Sequence, residues 1–414
     1  MFKSTPKLQK LYICNVKQLI SIFFIILTFL SCENDLDVNA EWEDIPVIYS
    51  ILDSGSYHDK DENGMPIYQE EHFVRIQKSF LGDLAASQMA QEKDSIYYNS
   101  DDINVWIDKI QDGEVIESFD LELVTNVEKE DGYFSNETHQ LYKFYAILTD
   151  QNSDRTPSYS FNINFLNTIT GKEVTSNTDI VQPIRVRKFP TSNSTSTGVL
   201  KFGESNNPLQ NIEIYDSKNA KMYKFLFRFN YVEVDTELNT RDTLFIDWNF
   251  SPKTATETQF NGESTINLDF SINVNDFYKY LASSIEVKSS NVFRYPIGVY
   301  YQGNDGNVGY TGIAFSCTDF HFEALSLDLY NYIISASNPG LVENRPLFNN
   351  ISNGIGHFSS KSSYNALDIK FDNNSIDSLS FGRFTKDLNF LYFRELGQGI
   401  SAYDSNGNLI NYTD

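Results

Sequence analysis

From Ile45 onward the chain is patterned with a period of two. Phe73-Val74-Arg75-Ile76-Gln77 alternates inward and outward positions, and Ile45–Leu52 is an apolar run closed by Asp53-Ser54-Gly55. Similar runs predict strands at Ile103–Ile107, Val115–Val124, Leu141–Leu148 and Tyr159–Phe165. Polar turn clusters such as Asp112-Gly113 and Asp131-Gly132 close them. A short helix is expected at about Gly82–Glu92. Short strands at this spacing predict an immunoglobulin-like β-sandwich over residues 45–190.

The run Thr191-Ser192-Asn193-Ser194-Thr195-Ser196-Thr197, ahead of Gly198, offers nothing to bury and predicts a linker at 191–198. The second β-rich domain, 199–414, is expected to use longer strands at Met222–Val234, Thr265–Val274, Asn291–Tyr301 and Val308–Phe315. Asn304-Asp305-Gly306-Asn307 predicts a hairpin turn between the last two. Two short helices are expected in this domain. Asn275–Ser284 opens on an Asn cap. Phe322–Ser335 sets Leu325, Leu329, Tyr332, Ile333 and Ala336 on one stripe before Asn338-Pro339-Gly340. The fold class read from the pattern is therefore mostly β, a sandwich followed by a second β-rich domain.

The first 31 residues follow a different pattern. Lys3, Lys7, Lys10 and Lys17 precede the apolar run Leu19–Leu30, which is too short to cross a bilayer comfortably and has the flanks of an export signal. Phe29-Leu30-Ser31-Cys32 resembles the bacterial lipobox, in which the cysteine is acylated and becomes the mature N-terminus. This resemblance implies a signal peptide at 1–31, a lipid on Cys32 and an acidic tether at 32–44. Glu33-Asn34-Asp35-Leu36-Asp37 is similar to the acidic run that Bacteroidota lipoproteins use for transfer to the outer leaflet; a solvated tether is the alternative. The expected location is the outer membrane, periplasmic or surface-exposed.

Composition supports a buried core and strands: 32 Phe and 25 Tyr suit half-buried pleated faces. The formal charge of −24 would repel phosphate backbones, so no nucleic-acid partner is expected. Of three cysteines, Cys14 lies in the leader and Cys32 is the lipid site, leaving Cys317 as a buried thiol in an apolar run.

Catalytic motifs are absent from the sequence: there is no G-x-S-x-G elbow, P-loop, H-E-x-x-H or C-x-x-C. His58, His72, His139, His321 and His357 are scattered, and His72 and His321 are expected on strand or helix surfaces. One motif matches in full. Asp59, Asp61 and Asn63, then Gly64 and Glu70, have the spacing of a calcium loop, but strands flank them and Pro66 interrupts. A polar hairpin loop is the preferred reading, with no cofactor, and calcium is the alternative. Asp94-Ser95-Ile96, Asp242-Thr243-Leu244 and Asp377-Ser378-Leu379 resemble Bacteroidota O-glycosylation acceptors at Ser95, Thr243 and Ser378.

The segment Arg345–Phe358, with Asn350-Ile351 leading into Gly354, Gly356 and Phe358 after Tyr330 and Tyr332, resembles a family of uncharacterised Bacteroidota outer-membrane lipoproteins. Thr170–Thr178 resembles a strand pair of the same family. The resemblance implies an exported β-rich protein and brings no catalytic residues. Gly354 and Gly356 read as tight-turn positions. The expected function is a lipid-anchored binding or accessory protein, with the membrane and an outer-membrane protein as partners. The alternative is a surface hydrolase of glycans or peptides with an unrecognised carboxylate site.

The lipobox reading generates a direct test. Cys32→Ser should leave an unprocessed or soluble protein that no longer partitions into detergent. A variant still acylated and membrane-bound would overturn the anchor.

Overall fold

A computed structural model describes residues 44–58, 71–79, 93–128, 138–149, 158–203, 208–262, 267–297, 299–300, 313–337, 348–396, 399–403 and 409–410. The export signal, Cys32, the Asp59–Glu70 loop, the Gly82–Glu92 helix and the Asn304–Asn307 turn lie outside these residues.

The protein is mostly β. Its first strands are β1 (Pro46–Asp53), β2 (Glu71–Lys78), β3 (Ile103–Gln111), β4 (Glu114–Asp120), β5 (Glu122–Glu128), β6 (Thr138–Tyr145), β7 (Tyr159–Asn167) and β8 (Glu173–Asp179). The predicted strand Val115–Val124 is two strands, broken at Leu121. An antiparallel sheet of order β4-β3-β7-β8 packs against β1, β2, β6 and β5 in a sandwich-like arrangement. The period-two pattern explains the packing. Ile48 and Leu52 of β1, Val74 and Ile76 of β2, and Phe161, Ile163 and Phe165 of β7 all turn into this first core.

The later strands are β9 (Val186–Lys188), β10 (Val199–Leu200), β11 (Leu209–Ile214), β12 (Met222–Asp235), β13 (Thr240–Asn249), β14 (Lys253–Thr254), β15 (Leu268–Asn273), β16 (Val292–Pro296), β17 (Val299–Tyr300), β18 (Ile313–Leu325), β19 (Ile355–Phe371), β20 (Tyr392–Leu396), β21 (Gly399–Tyr403) and β22 (Leu409–Ile410). Phe225, Phe227 and Phe229 of β12 face a second core. The small sheet β15-β11-β9 and the helix Val274–Ser284 contribute to it; Phe277 meets Phe227 at 5.1 Å between ring centroids. That helix is capped by Asn273, whose side chain accepts from the amides of Asn275 and Asp276. The cap therefore lies two residues before the expected one.

Strand β19 joins the two cores. It pairs in parallel with β1 from Val47↔Ile355 to Asp53↔Lys361, and antiparallel with β18 from Leu325↔Lys361 to Phe315↔Phe371. Among the described residues the result is one twelve-stranded sheet with the main order β13-β12-β18-β19-β1-β2-β6-β5. Between the cores the chain crosses β19 at 179–184, and buried serines hold it there. Ser360 Oγ donates to the Asp179 carbonyl and accepts from the Val181 amide, while Ser362 Oγ donates to the Gly55 carbonyl and accepts from the Ile184 amide. These hydroxyls satisfy backbone groups that no ladder reaches. The stretch 191–198 is a largely exposed turn closed by the Thr191↔Leu200 bridge.

The expected helix Phe322–Ser335 starts later, at Leu327. Phe320, Phe322 and Ala324 alternate into the second core as part of β18, and Ser326 caps the helix by accepting from the Leu329 amide. Gly356 is a strand residue, not a turn. Its φ is +123°, and a Cβ there would lie 1.9 Å from the Ile48 carbonyl oxygen.

That close approach sets a prediction. Gly356→Ala should cost about 2–4 kcal/mol in denaturant unfolding, because strain and a backbone clash act together. Gly113→Ala, at positive φ but in open space, should cost about 1 kcal/mol or less. Equal losses would show that the β1–β19 approach is not as tight as described.

Candidate functional site

The outward positions of β19, β1, β2 and β6 form the candidate site. Register places Tyr49 directly opposite both Arg75 and His357, and Val47 opposite Ile355, so these residues share one face of the sheet. Phe73 lies two residues before Arg75 on the same side and opposite Lys143. Glu71 is opposite Tyr145. In a sheet with one solvated face, outward positions are ordinarily polar. Here Ile51 is 42% exposed, Phe73 41%, Tyr145 54% and Ile355 44%. Four side chains with large apolar surface thus stand exposed on one face of four neighbouring strands.

The helix Leu327–Ala336 covers one border. Its Tyr332 ring lies 4.0 Å from the His357 ring and 6.4 Å from Tyr49, and Tyr49 meets His357 edge-on at 5.3 Å. The Arg75 guanidinium sits 4.8 Å above the Tyr49 ring. Its Nε is buried without a hydrogen-bond partner. A buried donor left in this state costs about 1–3 kcal/mol. The opposite border is polar: Tyr145 donates to Glu71 at 3.0 Å, and Lys143 lies within 3.4 Å of Glu71 and 3.8 Å of Glu122.

Burial and the nearby Arg75 charge push the His357 imidazole down to about 4. Its Nδ1 shares a hydrogen bond with Ser359 Oγ at 3.2 Å. Burial, with Tyr332 adding, raises the Tyr49 phenol, and Arg75 opposes the rise. At neutral pH the Arg75 cation therefore stands beside a neutral His357 and a neutral Tyr49. Its chemistry is recognition of an anion beside apolar contacts.

A second arrangement involves acids. Burial raises the carboxyl of Asp179, opposed by Lys218, and burial also raises Asp328, with the Asp179 charge adding to it. Thr178 Oγ1 donates to Asp328 at 3.5 Å. Acids that hold protons longer than usual are what a carboxylate hydrolase would draw on. Among the described residues no three ligating side chains gather as a metal site.

The other residues singled out in the sequence are dispersed. Asp59, Asp61, Asn63 and Glu70, like Cys32, lie outside the described residues. Ser95 sits half-buried in the helix Lys93–Ile96, and Thr243 is exposed on β13 at the sheet edge. Ser378 is buried in the helix Asn373–Phe381, where its hydroxyl donates to the Asn374 carbonyl. A glycan requires an accessible hydroxyl, which Thr243 offers and Ser378 does not. His72 is buried, not on the surface; Nε2 meets the Ala146 carbonyl at 3.1 Å. Cys317 is fully buried, and burial pushes its thiol well up. Compared with known proteins, the chain matches no family model and no curated protein.

The alternation Phe73-Val74-Arg75-Ile76 contained the signal for the site: once Val74 and Ile76 turn inward, Phe73 and Arg75 must turn outward. His357 gave no such signal, because its strand does not read as one.

The lowered His357 value has a pH consequence. The unfolded imidazole, at its ordinary 6.5, takes up a proton before the folded one. Stability contributed by neutral His357 is thus present above about 6.5 and is lost as pH falls toward about 4. Asp179 and Asp328 act in the opposite sense, since their raised values favour the folded state on protonation. His357→Gln should flatten the fall in Tm between pH 7 and pH 4.5. An unchanged slope would place the acid sensitivity elsewhere.

Proposed function

We propose that the protein is a lipid-anchored binding or accessory protein of the cell envelope. It is held at the outer membrane through Cys32 and presents the outward face of β19, β1, β2 and β6 to a membrane-protein partner. The observation that carries this reading is the apolar composition of that face: Ile51, Phe73, Tyr145 and Ile355 stand exposed where a solvated sheet carries polar residues. Aromatic side chains together with an arginine are the residue types enriched at the centres of protein interfaces, and the Glu71–Lys143–Glu122 border supplies a polar rim. In this reading the first core is an immunoglobulin-like module whose two packed sheets support the face. The lipobox supplies the membrane attachment, and the acidic run after Cys32 favours the outer leaflet.

A photo-crosslinking side chain placed at Phe73 in cells should give one discrete adduct with a membrane protein. The same probe at Ile116, also exposed but on β4 of the other sheet, should give none. Indistinguishable adducts at the two positions, or none at Phe73, would sink the interface.

A further inference from the structure

We propose that Arg75 is the anchor for a single carboxylate on an apolar peptide segment of the partner protein, which binds with its acidic side chain over Tyr49 and its apolar side chains on Phe73, Ile51 and Ile355. The inference rests on the binding reading above and adds the chemistry of what is bound.

Three observations converge. First, the Arg75 guanidinium is half-buried and stacked on Tyr49, and its Nε has no hydrogen-bond partner. The buried Arg294, by contrast, has Glu233 at 2.7 Å and donates to the Leu388 and Glu286 carbonyls. A cation stacked on a ring keeps its charge and directs its remaining donors toward an acceptor. Second, the titratable rings beside Arg75 are neutral: His357 holds no proton at pH 7, and Tyr49, whose phenol is raised, keeps its own. Nothing among them competes for the anion. Third, the exposed apolar residues begin beside the cation. Phe73 is its neighbour along β2, and Ile51 and Ile355 flank Tyr49 and His357.

Charge complementarity narrows the ligand. A chain of net charge −24 repels a polyacid, and one guanidinium can neutralise only one carboxylate. The fitting segment therefore carries an isolated Asp or Glu between apolar residues. An extended backbone matches a sheet face whose residues alternate at strand spacing.

The test uses the full-length protein in detergent and two peptides, acetyl-Val-Phe-Asp-Val-amide and its Asn counterpart, with the His357 imidazole signals as the readout. The Asp peptide should bind about tenfold tighter than the Asn peptide. It should also raise the His357 pKa, because a bound carboxylate offsets the Arg75 field. Arg75→Gln should reduce Asp-peptide binding to the Asn level and leave the Asn peptide unaffected, while Arg75→Lys should retain part of the preference. A cooperative thermal melt close to that of the unaltered protein confirms that each variant is folded. Equal binding of the two peptides, binding of neither, or a preference that survives Arg75→Gln would overturn the carboxylate anchor. The Phe73 crosslink judges the broader interface separately. Decanoate binding tighter than the Asp peptide and lost in Arg75→Gln would assign the cation to lipid and overturn the peptide.

Discussion

The structure depends on strand β19 being paired along its length with one partner far away in sequence, β1, and one that just precedes it, β18. Its first half lies parallel to β1 and its second half antiparallel to β18, with Lys361 in both registers. Parallel pairing on one side and antiparallel on the other lets a single strand enter both cores, with Phe358 in the first and Ile369 and Phe371 in the second. The approach to β1 is close enough to require glycine at position 356. Lys361 reinforces the junction electrostatically, lying 3.6 Å from Asp53 and 3.0 Å from Glu323.

Much of the fold was legible where burial follows the alternation of side chains. Phe225, Phe227 and Phe229 announce β12, and Phe73–Gln77 announces β2. Strand β19 was not legible, because His357, Ser359, Ser360 and Ser362 are polar yet buried. Their burial is favourable only because Ser360 and Ser362 meet a crossing segment and His357 meets two tyrosines, facts that no local pattern records. The start of the helix at Leu327 was ambiguous for another reason. Leu325, Leu329 and Tyr332 fit a helical stripe, but Phe320, Phe322 and Ala324 fit a strand equally well, and the Ser326 cap settles the boundary. The candidate face was half legible: β1 and β2 declare their outward residues, whereas β19 hides its own.

Two arginines show how differently a protein can treat the same charge. Arg294 is fully enclosed and serves architecture. Burial works against the charge of its partner Glu233, yet Lys288 and Arg294 together hold that carboxyl below its usual range. Such an enclosed pair is costly to break and leaves nothing for a ligand. Arg75 stands over a ring at the sheet surface, where its stem and plane are packed but its hydrogen-bonding capacity is not used up.

The pairing of β1 with β19 also governs how the chain can be made. Ser54 and Lys361, hydrogen-bonded at the end of this ladder, are 307 residues apart. A polypeptide that emerges from its N-terminus exposes β1 long before its neighbour exists, and non-local strand pairs form slowly in any case. Until β19 has been made, one flank of the β1–β2 pair stays open to wrong partners. The maturing chain must therefore be kept from pairing that edge with other chains, and its folding waits on the arrival of β19.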